Sequence, residues 1–140
     1  MKKLFFTSFI CLMTFFATAQ IKLLDLSVIP IIKTDSVSGQ SSNTTLDVRF
    51  KIKNSNTASK VFVLFGTTQN LGDIYSIEAN IIENAGNYYI LYNGMQTPIN
   101  NYNAEIKIEL TPAQNAAYNY ITLFVKDVNG TDSNKLYFVK

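Results

Sequence analysis

Between Thr45 and Lys53 the chain alternates apolar and polar residues without a break: Leu46, Val48, Phe50 and Ile52 against Thr45, Asp47, Arg49, Lys51 and Lys53. Successive side chains of a strand point to opposite faces, so this pattern specifies a strand with one buried face and one wet face. On a helix the same four apolar residues would be scattered around the circumference. A strand of this kind needs a second apolar layer over its inner face, and the rest of the chain has to supply it.

Most of the remaining segments also read as strands. Gln20–Ile32 is rich in β-branched residues, and Pro30, which cannot donate to a ladder, marks it as an edge strand that breaks or switches sheets at the proline. Lys60–Phe65 (KVFVLF) is apolar on both faces, as expected of a central strand in the tightest part of a core rather than the wall of a ligand cavity. Ile74–Glu83 places Ile77, Ala79 and Ile81 on one face. Glu83-Asn84-Ala85-Gly86-Asn87 and Asn93-Gly94 are hairpin turns, the second joining arms at Tyr88–Tyr92 and Met95–Ile99. Ala104–Leu110 repeats the opening alternation, Thr111–Ala117 holds one helical turn, and Tyr118–Asp127 leads through Asn129-Gly130 into a last strand at Asn134–Lys140. Thr34–Asn43, Asn54–Ser59 and Gly66–Asp73 are polar loops. Turns at the spacing typical of sandwiches and barrels make the chain all-β, with seven to eight strands.

The first nineteen residues are excluded from the fold. Lys2 and Lys3, the apolar run Leu4–Phe16 and the small-x-small site Ala17-Thr18-Ala19 form a secretory signal peptide, too short in its apolar core to span a bilayer comfortably. Cys11 lies inside that run, behind a poor version of the lipid-attachment box, so a lipoprotein is not expected. The organisation is therefore a signal peptide at 1–19 and one β-sandwich domain at 20–140, exported to the periplasm, cell surface or medium, with no stable membrane insertion after cleavage. Cys11 is the single cysteine, so the mature domain has no disulfide and must be stabilised by burial.

Charge narrows the function classes. Of 12 basic residues two (Lys2 and Lys3) leave with the signal, so 10 face 10 acidic residues in the mature chain. They are interleaved rather than clustered, which argues against nucleic acid or an anionic membrane as partner. Histidine is absent and cysteine is lost with the signal, so the common nucleophile–base pairs cannot be built. The chain is read as a non-enzyme with no catalytic residue, cofactor or metal. Asp127-Val128-Asn129-Gly130-Thr131-Asp132 superficially resembles a calcium loop, but lacks the distant bidentate glutamate and reads as a turn.

The last thirty residues carry a family resemblance. Leu110-Thr111-Pro112, Tyr118 and Tyr120, the strand ITLFVKD, Asn129-Gly130 and a closing SNKLYFV resemble the end of a fibronectin type III or related immunoglobulin-like domain. That family places a tyrosine corner at the start of the sixth strand; with Ile121, Leu123 and Val125 facing the core, the position belongs to Asn119, and the tryptophan common in early strands is missing. The short exported, Asn-rich chain is also similar to small secreted proteins of Bacteroidetes-type bacteria. The resemblance implies an antiparallel sandwich in which Thr45–Lys53 and Ala104–Leu110 are neighbours. Opposite charges should then face each other on the wet side, where each pair is worth roughly 0.2–1 kcal/mol. One register does this well: Arg49 opposite Glu105, Asp47 opposite Lys107, Val48 opposite Ile106 and Leu46 opposite Ile108.

The expected function is recognition of a protein or glycan; the alternative is an assembly subunit that pairs through an edge strand. The candidate contact residues are Tyr88, Tyr89, Tyr92 and Asn93, on a hairpin with no charged side chain between Glu83 and Glu105. Tyrosines offer large contact area for little lost side-chain entropy, and an uncharged patch is cheap to desolvate. Tyrosine is equally an ordinary strand former, and exposure of Tyr88 and Tyr92 on one face decides between the two roles.

Overall fold

The computed structural model describes residues 20–32 and 43–140; the expected signal peptide at 1–19 and nearly all of the expected loop Thr34–Asn43 lie outside the described residues. Among the described residues nine strands are arranged antiparallel in two sheets. They are β1 (Lys22–Ile32), β2 (Thr44–Lys53), β3 (Ala58–Gly66), β4 (Tyr75–Asn84), β5 (Asn87–Tyr92), β6 (Met95–Pro98), β7 (Asn103–Leu110), β8 (Tyr120–Asp127) and β9 (Leu136–Val139). The smaller sheet has the order β1-β2-β7 and the larger the order β6-β5-β4-β3-β8-β9. This is one strand more than the expected seven to eight, but each of the nine segments read as a strand forms one, both arms of the Asn93-Gly94 hairpin included. No helix among the described residues is long and apolar enough to cross a membrane.

The opening alternation behaves as read. Leu46, Val48, Phe50 and Ile52 are buried and meet Val61, Val63 and Phe65 of β3 and Ile121, Leu123 and Val125 of β8 in one core. The β2–β7 register is the one that matches charge: Arg49 sits opposite Glu105, Asp47 opposite Lys107, Val48 opposite Ile106 and Leu46 opposite Ile108. Three details differ from expectation. Asp47 lies on the outward row yet is only 3% exposed, and its carboxylate is held by Arg49 at 2.6 Å rather than by Lys107. Lys107 turns instead to Glu105 at 3.2 Å, which Arg49 also approaches at 3.6 Å. Asp47 Oδ1 has no hydrogen-bond partner.

Second, β3 is not enclosed on both faces. Val61, Val63 and Phe65 are fully buried, but Phe62 and Leu64 are half-buried on the outer face of the larger sheet. There the Phe62 ring stacks on Phe124 at 5.0 Å with the Lys126 ammonium over both. A sandwich covers only one face of each sheet, so a doubly apolar strand marks a central position without guaranteeing a second layer. Third, β1 neither breaks nor changes sheet at Pro30; the ladder to β2 runs through it, Pro30 opposite Leu46, and the irregularity lies between Leu24 and Ser27 where Asp25 has φ 54°. An edge strand tolerates proline because its outward N–H needs no partner.

The connections follow local chemistry. Thr111 caps α1 (Pro112–Ala117) in a reciprocal capping box with Gln114, and Pro112 occupies the first turn, where its missing N–H costs nothing. Tyr118 follows, buried, with its ring edge-on to Phe65 at 5.3 Å. The buried tyrosine at this corner is thus residue 118, one position before the one the resemblance would assign. Asn134 joins the two sheets on the β1–β9 side: its amide donates to Leu23 O at 3.0 Å while its carbonyl accepts from Leu23 N at 2.7 Å.

Candidate functional site

The candidate hairpin is built by its turn. Asn93 and Gly94 both take positive φ, 48° and 76°, the pair of left-handed residues that a two-residue turn needs to match the twist of its strands. Tyr92 therefore lies opposite Met95, Ile90 opposite Thr97 and Tyr89 opposite Pro98. Alternation then divides the tyrosines. Tyr88 and Tyr92 share a face with the buried Ile90, and both pack half-buried against the core. Tyr89 is half-buried on the opposite face, opposite Ile82 of β4 and Pro98 of β6. Asn93 is exposed at the tip. The structure thus brings together Tyr92 and Asn93; Tyr88 and Tyr89 lie elsewhere on the hairpin.

Tyr92 and Asn93 border a groove of about 480 Å³, with Tyr75 and Met95 on the same wall and Ile31, Thr45, Lys107 and Glu109 from the smaller sheet. Burial and hydrogen bonding with Tyr75 push the Tyr92 hydroxyl up to about 12. Tyr75 in turn lies tilted on Phe65 at 6.1 Å, so the groove wall is continuous with the core. A second hollow of about 220 Å³ continues between Ile90, Tyr92, Met95 and Thr97 on one side and Glu105, Ile106 and Lys107 on the other. A third of about 650 Å³ shares Thr97, Pro98 and Glu105 and extends to Asn100, Asn103 and Arg49. Through these shared residues the three make one furrow along the seam between β6 and β7.

The furrow exists because the sheets differ in width. Three strands cannot cover six, so β5 and β6 reach past β7: Ile90 is still buried in the core, but Tyr92, Met95 and Thr97 of the same face are left partly uncovered. Its walls combine aromatic hydroxyls, the Asn93 amide, the Met95 thioether and the Thr97 hydroxyl with the charged row of β7. That row is internally matched: Lys107 and Arg49 meet Glu105, and Lys51 meets Asp25 at 2.7 Å. The hairpin is uncharged, as its sequence shows, but the surface it faces is not. Of the residues the sequence reading left out, Met95 is legible in retrospect, because an Asn-Gly turn places the residue after it opposite Tyr92. Tyr75 and Lys107 come from other strands and carry no local signal.

Among the described residues no group of three or more His, Cys, Asp or Glu could hold a metal ion. In the turn after β8, Asp127 Oδ1 accepts from the N–H groups of Asn129 and Thr131, both at 2.8 Å. Those bonds give Asp127 a backbone role in the turn, and Asp132 pairs with Lys126 at 2.6 Å. No family model, curated protein or solved structure matches the chain.

Proposed function

We propose that this chain is a non-enzymatic, exported binding module of the immunoglobulin or fibronectin type III kind, recognising a protein or glycan partner through the furrow beside the β5–β6 hairpin. The observation that carries this reading is the concave wall of Tyr75, Tyr92, Asn93 and Met95 opposite β7. A preformed hollow of a few hundred Å³, mostly apolar with a few convergent polar groups, is the usual form of a recognition site. The strand partition supports the family assignment. The first, second and seventh strands form one sheet and the third, eighth and ninth lie together in the other, as in immunoglobulin domains whose larger sheet carries additional strands after the third.

Met95 is 58% exposed, so Met95→Glu places a charge in the furrow at little cost to the fold. The mature chain is applied to a glycan array and to immobilised cell-surface proteins, beside Met95→Glu. The reading expects a saturable ligand that the variant loses while its Tm stays within a few degrees of the parent. A ligand held equally by both proteins places the contact elsewhere.

A further inference from the structure

We propose that the furrow takes an extended polypeptide segment, which adds as a strand to the open edge of β7. This inference rests on the binding-module reading and names the partner class at the same site. Ile52 N donates to Tyr102 O at 2.8 Å, continuing the β2–β7 register by one pair. Hydrogen-bonded and non-bonded pairs alternate in an antiparallel ladder, so Ala104, Ile106 and Ile108 spend their backbone groups on β2. The N–H and C=O of Glu105 and Lys107 therefore point away from β2, into the furrow. Among the described residues β7 is the last strand of its sheet and does not pair with β6; on its outer edge Asn103 exchanges both backbone bonds with Asn100, at 2.8 and 3.0 Å, so the open stretch begins at Glu105.

An unpaired strand edge lying in a hollow calls for one chemistry: a second backbone with donors and acceptors at strand spacing. Neighbouring edges are less receptive. Pro98 sits in β6 and Pro30 in β1, each removing a donor, and the β1–β9 seam is already joined through Asn134 and Leu23. A segment on β7 would turn alternate side chains toward Ile90, Tyr92 and Ile106, so an apolar residue at every second position fits. The charged row on the outer face is already self-matched and asks for no net charge.

Lys107→Pro removes the edge-facing N–H and leaves the β2 ladder intact; Lys107→Ala keeps that N–H and removes only the charge. The probe is a synthetic octapeptide with alternating valine and threonine between terminal lysines, titrated into the mature protein and followed by amide NMR. Saturable binding is expected, with slowed exchange at the Glu105 and Lys107 amides, at least tenfold weakening in Lys107→Pro and less than twofold change in Lys107→Ala. No saturation up to about 1 mM peptide, where binding free energy is only about 4 kcal/mol, overturns strand addition. So does binding by Lys107→Pro within twofold of the parent. If the proline variant fails to fold, exchange protection of the two parent amides decides the matter alone. A glycan held in the furrow equally by the parent and Lys107→Pro overturns strand addition and leaves the binding-module reading standing. Loss of peptide binding in Lys107→Pro with none in Met95→Glu keeps strand addition and refutes the Tyr92–Met95 wall as the contact.

Discussion

Replacing Phe50 by alanine tests the inner and outer faces of β2 most directly. Phe50 is 2% exposed and lies opposite Ala104, itself 3% exposed. A buried Phe→Ala change costs about 3–5 kcal/mol, the transfer free energy of the ring plus a cavity term that depends on how far the site can collapse. Collapse is restricted here. β2 is hydrogen-bonded to β1 on one side and β7 on the other, so its backbone cannot shift inward, and the alanine opposite is too small to fill the space. The expected loss is therefore about 4 kcal/mol, a large share of the 5–15 kcal/mol that holds a typical domain folded. Lys51→Ala, one residue on, is the control. Lys51 reaches Asp25 at 2.7 Å, but the two side chains are 47% and 65% exposed, and pairs in water contribute less than about 1 kcal/mol. In urea unfolding with a slope of about 2 kcal/mol/M, Phe50→Ala should lower the midpoint by roughly 2 M and Lys51→Ala by less than about 0.5 M. Similar midpoints for the two variants would refute the assignment of faces on which the core rests.

Asn134→Ala should destabilise by about 1–3 kcal/mol, since it leaves both Leu23 backbone groups without their partner at a part-buried seam; a thermal melt within 1 °C of the parent would show that the sheets are not held together there. The Tyr92 hydroxyl predicts an alkaline effect. Its folded value, about 12, lies above the ordinary 10.0, so the stability linked to its proton is fully present below pH 10 and is lost as pH rises through about 12. Denaturation midpoints of the parent should fall more steeply over that window than those of Tyr92→Phe, and parallel curves would remove Tyr92 as the cause.

Strands, turns and one pairing register were legible from residues 20–32 and 43–140. Alternation sets which residues share a face, the Asn93-Gly94 turn sets which residues of β5 and β6 meet, and the charge row of β2 matches that of β7 in one way only. These are short-range or pairwise properties, written in side-chain order. Coverage is a different kind of property. Tyr88 and Tyr92 share a face as alternation requires, yet whether that face meets water or core depends on how far the opposite sheet extends. Phe62 and Leu64 look like core in the same sense as Val61 and Val63, but the larger sheet has a second layer on one side only. Asp47 reads as wet and is buried beside Arg49. The furrow itself follows from six strands facing three and from β6 remaining with β5 instead of crossing to β7. No local pattern encodes that choice, because the short β6 offers the same alternation to either edge, and the sheet it joins is decided by the tight turn and the packing of the finished sandwich.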